Sequence, residues 1–181
     1  QPGDTLTLVP GQYHRGLRIH DLHGAAARPI TIEGPTGSAK AVILGYPKRN
    51  TVSIKDASYV TIRNLEIDGN GAFVDGVKCE GHARYAHHIT LEGLRIHNLA
   101  KHQQSVGIST KCPAWDWVVK GNHIEGVGTG MYFGNSDGSD PFVGGIIEDN
   151  DVLNTIGYNL QVKHQKARPA IEGMPTETRF T

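Results

Sequence analysis

Val60-Thr61-Ile62-Arg63-Asn64-Leu65-Glu66-Ile67 can be laid over residues 89–96, 117–124 and 145–152, and that overlay decides the fold. The equivalent apolar residues Ile62, Leu91, Val119 and Ile147 are separated by 29, 28 and 28 positions. A fixed period of this length marks a solenoid of stacked repeats. Two positions past each marker stand Asn64, Gly93, Gly121 and Asp149, residue types that accept a left-handed backbone and let a strand bend. Five positions past it stand Ile67, Ile96, Ile124 and Val152, a second aliphatic column. Apolar residues alternate two by two and are rich in Val, Ile and Thr, which predicts strands. The chain has no long amphipathic crossovers of the kind that join strands in an α/β sheet.

The predicted architecture is therefore all-β, a right-handed parallel β-helix of about six coils with about 28–30 residues per coil. Residues 1–181 form one domain. Its N-terminal coils, 1–58, follow the pattern more loosely, through Thr5-Leu6-Thr7-Leu8-Val9, Leu17-Arg18-Ile19, Ile30-Thr31-Ile32, Val42-Ile43-Leu44 and Val52-Ser53-Ile54. Residues 59–164 are the regular coils, and 165–181 read as a loop followed by the start of a further coil at Arg179-Phe180-Thr181. The ends carry no capping helix in the sequence, and an open strand edge recruits other chains. The expectation is a section of a longer β-helix, or one capped by a partner, with end-to-end self-association as the interaction that open edges suggest.

A third strand per coil sorts into two faces by alternation. Val77, Ile108, Met131 and Leu160 point inward, followed by Cys79, Thr110, Phe133 and Val162. Lys78, Ser109, Tyr132 and Gln161 point outward, followed by Glu80, Lys111, Gly134 and Lys163. With the loop that begins at Asn135, this polar, aromatic-bearing strip forms a candidate groove for a polysaccharide. Lys78, Glu80, Lys111, Tyr132, Asn135 and Gln161 are the candidate substrate-binding residues. The alternative is a solvated face with cross-strand ion pairs, Glu80 to Lys111 among them. Asp75 and Glu80 face the strip without the paired placement that glycoside hydrolysis requires.

Other features read as structure. Cys79 and Cys112 are expected to be buried thiols beyond disulfide reach. Asn122 and Asn150, one coil apart, are expected to form an amide ladder. Of Trp115 and Trp117, one should pack inward and the other close a loop. The ten histidines lack a third ligand at metal spacing, and residues 135–140 read as a turn, so no metal ligands are assigned.

Composition excludes several classes. Lys and Arg number 18 against 18 Asp and Glu, giving no basic field for nucleic acid or an anionic membrane. No apolar run approaches a membrane span, and the N-terminal Gln-Pro-Gly-Asp is not a signal peptide. A chain that starts without Met is read as a processed product or a fragment. Apolar residues reach only 38% while glycine numbers 23, a balance that favours narrow repeated layers over one large core.

The opening Pro2-Gly3-Asp4-Thr5-Leu6-Thr7-Leu8-Val9-Pro10-Gly11-Gln12-Tyr13, followed by Pro29-Ile30-Thr31-Ile32, resembles the pectate-lyase-type β-helix superfamily. Within it, the likeness is to the polysaccharide lyases that include chondroitinase B and the related alginate lyases. Residues 130–165 resemble the catalytic coil of those enzymes. The resemblance implies Asn150 at a calcium-binding asparagine and Lys163 at the catalytic base, with His164 and Arg168 assisting. Tyr158 and Asn159 stand where that family carries its calcium-binding carboxylates, so no cofactor is assigned, calcium being the one the resemblance would supply. The implied activity is β-elimination on an acidic, uronate-containing polysaccharide, at an extracellular or periplasmic location. A non-catalytic glycan-binding or structural β-helix module and an epimerase are the alternatives.

Overall fold

The computed structural model describes residues 1–166 and 168–176, so Arg179-Phe180-Thr181 lie outside the described residues. Six coils of three strands each follow one another. Coil one holds β1 (Thr5–Thr7), β2 (Gly11–Tyr13) and β3 (Leu17–His20), and coil two holds β4 (Ile30–Glu33), β5 (Ala41–Leu44) and β6 (Val52–Lys55). Coil three holds β7 (Ala57–Arg63), β8 (Glu66–Asp68) and β9 (Val77–Glu80), and coil four holds β10 (Ala86–Glu92), β11 (Arg95–His97) and β12 (Val106–Lys111). Coil five holds β13 (Ala114–Lys120), β14 (His123–Glu125) and β15 (Thr129–Phe133), and coil six holds β16 (Phe142–Glu148), β17 (Asp151–Leu153) and β18 (Leu160–Val162). The first strands of all coils make one six-stranded parallel sheet, the second strands another and the third strands a third. This is a parallel β-helix.

The register carries the periodicity into space. Leu6, Ile32, Ile62, Leu91, Val119 and Ile147 pair one with the next up the first sheet. Ile43, Ile67, Ile96, Ile124 and Val152 do the same in the second sheet, and Val77, Ile108, Met131 and Leu160 in the third. Between the exposed end residues Leu6 and Leu160, these columns meet along the axis as one apolar core. Burying each Ile or Leu there contributes roughly 1.5–3 kcal/mol. The inward column loses its cover at coil six, where Leu160 is 46% exposed.

Two corners hold the coil in shape. Asn64, Gly93, Gly121 and Asp149 all have positive φ, from 53° to 61°, where the first sheet turns into the second. Behind that bend, the Asn122 amide donates to Leu91 O at 3.1 Å and to Asn150 Oδ1 at 2.8 Å, while its own oxygen accepts the Leu94 N–H at 2.9 Å. Asn150 continues the ladder by donating to Val119 O at 2.8 Å. At the entry to the third sheet, glycine is needed for room: a Cβ on Gly130 would lie 2.4 Å from Asn159 O and from a Val152 methyl.

Three features depart from the sequence expectation. Cys79 and Cys112 are indeed buried free thiols, but their sulfurs touch at 3.0 Å. Cys112 lies past the end of β12, where the chain turns toward the axis, and straight-strand geometry does not anticipate that swing. Both tryptophans are buried: Trp117 Nε1 donates to Ala86 O in the core, and Trp115 stacks on His87 with centroids 4.5 Å apart. The strands of the first sheet also kink mid-way at Tyr59, His88, Asp116 and Gly144, a column of positive φ.

Candidate functional site

The third sheet places Lys78 (β9), Ser109 (β12), Tyr132 (β15) and Gln161 (β18) in one outward column, each in register with the next. Lys111 closes β12, and Lys163 follows directly on β18. Loops of unequal length between the second and third sheets rise beside this column, bringing Asp75, Gln103, Gln104 and Tyr158 to its flank. The result is a cleft of about 450 Å3, lined by these loop residues with Lys78, Lys111, Tyr132, Ser136, Gln161 and Lys163.

Tyr132 is the centre of the cleft. Lys111 Nζ lies 3.7 Å from the ring centroid and Lys163 Nζ 5.5 Å from it, while the hydroxyl is 2.7 Å from Ser136 Oγ. Lys111 also donates to the Gly134 carbonyl at 3.3 Å. Burial holds the Lys111 ammonium below the ordinary lysine range, with Lys78 and Lys163 pushing the same way and Tyr132 and Asp75 opposing.

Asp75 is the cleft's one carboxylate, and it is buried. It accepts the Val106 N–H at 3.0 Å and the Ser109 hydroxyl at 2.7 Å. Burial raises its pKa against the pull of these two donors and of Lys78 and Lys111. The cleft thus gathers three lysines, Lys78, Lys111 and Lys163, around one carboxylate already hydrogen-bonded within the protein, and Lys78 is also paired with Glu80.

Of the residues singled out from sequence, the structure brings together Lys78, Lys111, Tyr132, Gln161 and Lys163. Glu80 sits in an adjoining hollow and pairs with Lys78 at 3.5 Å; the expected pair with Lys111 is not made, although the two are in register. Asn135 donates to Asp140 Oδ2 at 3.0 Å and so closes its own loop. His164 lies over Gly138, and the Arg168 guanidinium binds Pro175 O and Gln165 Oε1; neither lines the cleft. Asn150 is spent in the ladder at the bend between the first and second sheets, so the calcium role that the resemblance gave it is corrected.

A calcium ion does not fit these residues. Among the described residues no three His, Cys, Asp or Glu side chains cluster as ligands, and Asn159 Oδ1 is taken by the Thr155 hydroxyl at 2.7 Å. Sequence reading had Asp75 facing the strip and Tyr158 in place of a calcium-binding carboxylate, assigned neither a role in the cleft, and did not single out Gln103, Gln104 or Ser136. Only Asp75 carried a signal: it precedes Gly76 in the turn, where backbone amides need an acceptor.

A hollow of about 470 Å3 on the first sheet, beside His88 and Asp116, is mostly apolar and holds one His–Asp pair at 3.5 Å. It lacks the convergence of charged and proton-bearing groups found on the third sheet.

Solved structures share this architecture. An alginate lyase from Paenibacillus sp. str. FPU-7 superposes with a TM-score of 0.69 at 22% identity, covering 83% of this chain and 51% of its own. The parallel β-helix of this chain is similar to that of this enzyme. A mannuronic acid-specific polysaccharide family 6 lyase from human gut microbiota gives 0.57 at 14% identity, over 86% and 46% of the two chains. The family 6 alginate lyase AlyGC gives 0.56 at 16%, over 84% and 26%. This chain thus spans from about half to about a quarter of these enzymes' lengths. No protein-family model and no curated protein matches the sequence. No helix among the described residues is long and apolar enough to cross a membrane.

Proposed function

We propose that this protein cleaves an acidic, uronate-containing polysaccharide by β-elimination, with the cleft on the third sheet as its active site. The observation that carries this reading is Tyr132 flanked by Lys111 and Lys163 in an anion-receptive cleft. Eliminating across a uronate requires three things: a cation against the carboxylate, a base for the proton on the adjacent carbon, and an acid for the departing glycosidic oxygen. Lys111, tethered to Gly134 O, is the stationary cation. The Lys163 side chain makes no hydrogen bond or ion pair among the described residues, and its amine is the base in this reading. Tyr132 is the acid, because Ser136 Oγ can donate to the phenol oxygen and leave the phenol proton free for substrate.

In the balanced step, the C5 proton moves to Lys163 Nζ, the C4=C5 double bond forms, and the C4–O bond breaks. The leaving oxygen takes the Tyr132 proton. The uronate polymer cleaved by the solved lyases, alginate, is the first substrate to test, and an extracellular or periplasmic location is part of this reading. The assay is ultraviolet absorbance of unsaturated ends on alginate, chondroitin, dermatan and pectate. Absorbance that grows with wild type and is lost in Lys163→Ala supports the reading. Binding without product on every polymer removes it in favour of a glycan-binding module, and a sugar inverted at C5 without cleavage removes it in favour of an epimerase.

A further inference from the structure

Two more hollows continue the cleft toward the N-terminal coils. One, of about 370 Å3, shares Asp75, Lys78 and Gln104 with the cleft and adds Lys48, Arg49 and Phe73. The next, of about 430 Å3, shares Arg49 and adds Tyr46, His14 and Arg15. Every coil therefore contributes to one line of concavity along the same side of the stack.

Two independent properties run along that line. Among the described residues, the exposed Phe, Tyr and Trp rings are Tyr46, Phe73 and Tyr158, and all three line it. Exposed rings are otherwise scarce on this surface, and a ring face suits the apolar C–H face of a sugar. The second property is charge. On the other two sheets, Arg63, Arg95 and Lys120 are neutralised by carboxylates of neighbouring coils. Along this line, Lys48, Arg49 and Arg15 are exposed and Lys111 and Lys163 are half-buried, all without a carboxylate partner among the described residues, and Lys78 is paired with Glu80.

The local sequence sets this up. Tyr46-Pro47-Lys48-Arg49 forms a tight turn closed by the Arg49 N–H on Tyr46 O at 3.2 Å, with Lys48 at φ 70°. The turn juts from the bend between the second and third sheets of coil two, and all four of its residues are exposed.

We infer that the cleft is one end of a trough that binds a linear polyuronate along the stack, with distal subsites built by Tyr46, Lys48 and Arg49. The inference rests on the polyuronate reading above and deepens it. Coils rise about 4.8 Å each, so four steps carry the trough roughly 19 Å from Lys163 to Arg49. A uronate residue advances by a similar distance, so a chain lying along the trough brings successive carboxylates past Lys163, Lys111, Lys78 and the Lys48-Arg49 turn, with Tyr132 of coil five between the first two. The trough holds about five or six residues.

The test measures binding of size-defined oligomannuronates, from trimer to octamer, to wild type, to Lys48→Ala/Arg49→Ala and to Tyr46→Ala. All three substitutions lie on an exposed turn, and far-ultraviolet circular dichroism verifies that each variant keeps its strand content. Wild-type affinity is expected to climb with length up to about the hexamer. The double variant is expected to lose about tenfold on the octamer and almost nothing on the trimer. A length profile unchanged in both variants would overturn the trough. Because binding needs no turnover, the outcomes separate: a length effect lost in the variants sustains the trough even if no polymer is cleaved. Cleavage with identical length profiles removes the trough and leaves the lyase reading standing.

Discussion

Lys111 Nζ sits 3.7 Å from the centroid of the Tyr132 ring, held there by the Gly134 carbonyl. The two residues are not neighbours in sequence, and one coil step of a parallel sheet joins them: Ser109 is in register with Tyr132, and Lys111 follows two positions later. The contact fixes a cation beside a phenol in a cleft that holds one buried carboxylate.

A pH dependence follows from Lys111. Because burial lowers its pKa, its charge is lost as pH rises, before that of a solvent-exposed lysine near 10.4. Affinity for an anionic oligouronate should therefore fall several-fold on the alkaline side, below the ordinary lysine range. Lys111→Arg, which stays charged, should hold its affinity through that window. Titration of binding against pH for the two proteins checks this, and superimposable curves would contradict it.

Asn122→Ala should destabilise the fold by about 2–4 kcal/mol, since it leaves the Leu94 N–H without an acceptor inside the stack and cuts the link to Asn150. Asn150→Ala, nearer the open end, should cost about half as much. Urea unfolding measures both; a loss below about 1 kcal/mol for Asn122→Ala would mean that the ladder is incidental.

Much of the fold was legible in the sequence because stacking demands it. A residue over the axis must be apolar in every coil, and a bend must recur at the same place, so Ile62, Leu91, Val119 and Ile147 announced themselves, as did Asn64, Gly93, Gly121 and Asp149. The site was half legible for the same reason. Lys78, Tyr132 and Gln161 follow from alternation, whereas Asp75, Gln103, Gln104 and Tyr158 come from loops that differ in length from coil to coil and have no period. The contact of Cys79 with Cys112 was missed because it forms at a bend, where residue counting along a strand stops measuring distance.

His87 makes acid stability a second readout. Burial, with help from His88 and His23, lowers its pKa from 6.5 to about 4. Between those values the unfolded chain binds the proton and the native state does not, so stability falls as pH drops from about 6.5 to about 4 and levels off below. The ring is half-buried, and after solvent screening the loss is on the order of 1–2 kcal/mol. His87→Phe keeps the stack on Trp115 and should remove this component. Melting temperatures across the window, compared between the two proteins, test it; parallel curves would contradict the assignment.

The Cys79 and Cys112 thiols are both fully buried, and burial pushes the Cys79 pKa well up. A thiol reagent should find neither group in the native protein and both after unfolding. Rapid labelling of the folded protein would show that the inner coils open far more readily than this packing allows.

The most direct test of the active-site assignment is the initial rate of unsaturated-end formation on alginate by wild type and by Lys163→Ala, with polymer binding measured on the same samples. Lys163→Ala should lower the rate by a factor of about 100 to 10,000 while binding weakens only a few-fold. A variant that cleaves as fast as wild type would show that the proton is taken elsewhere.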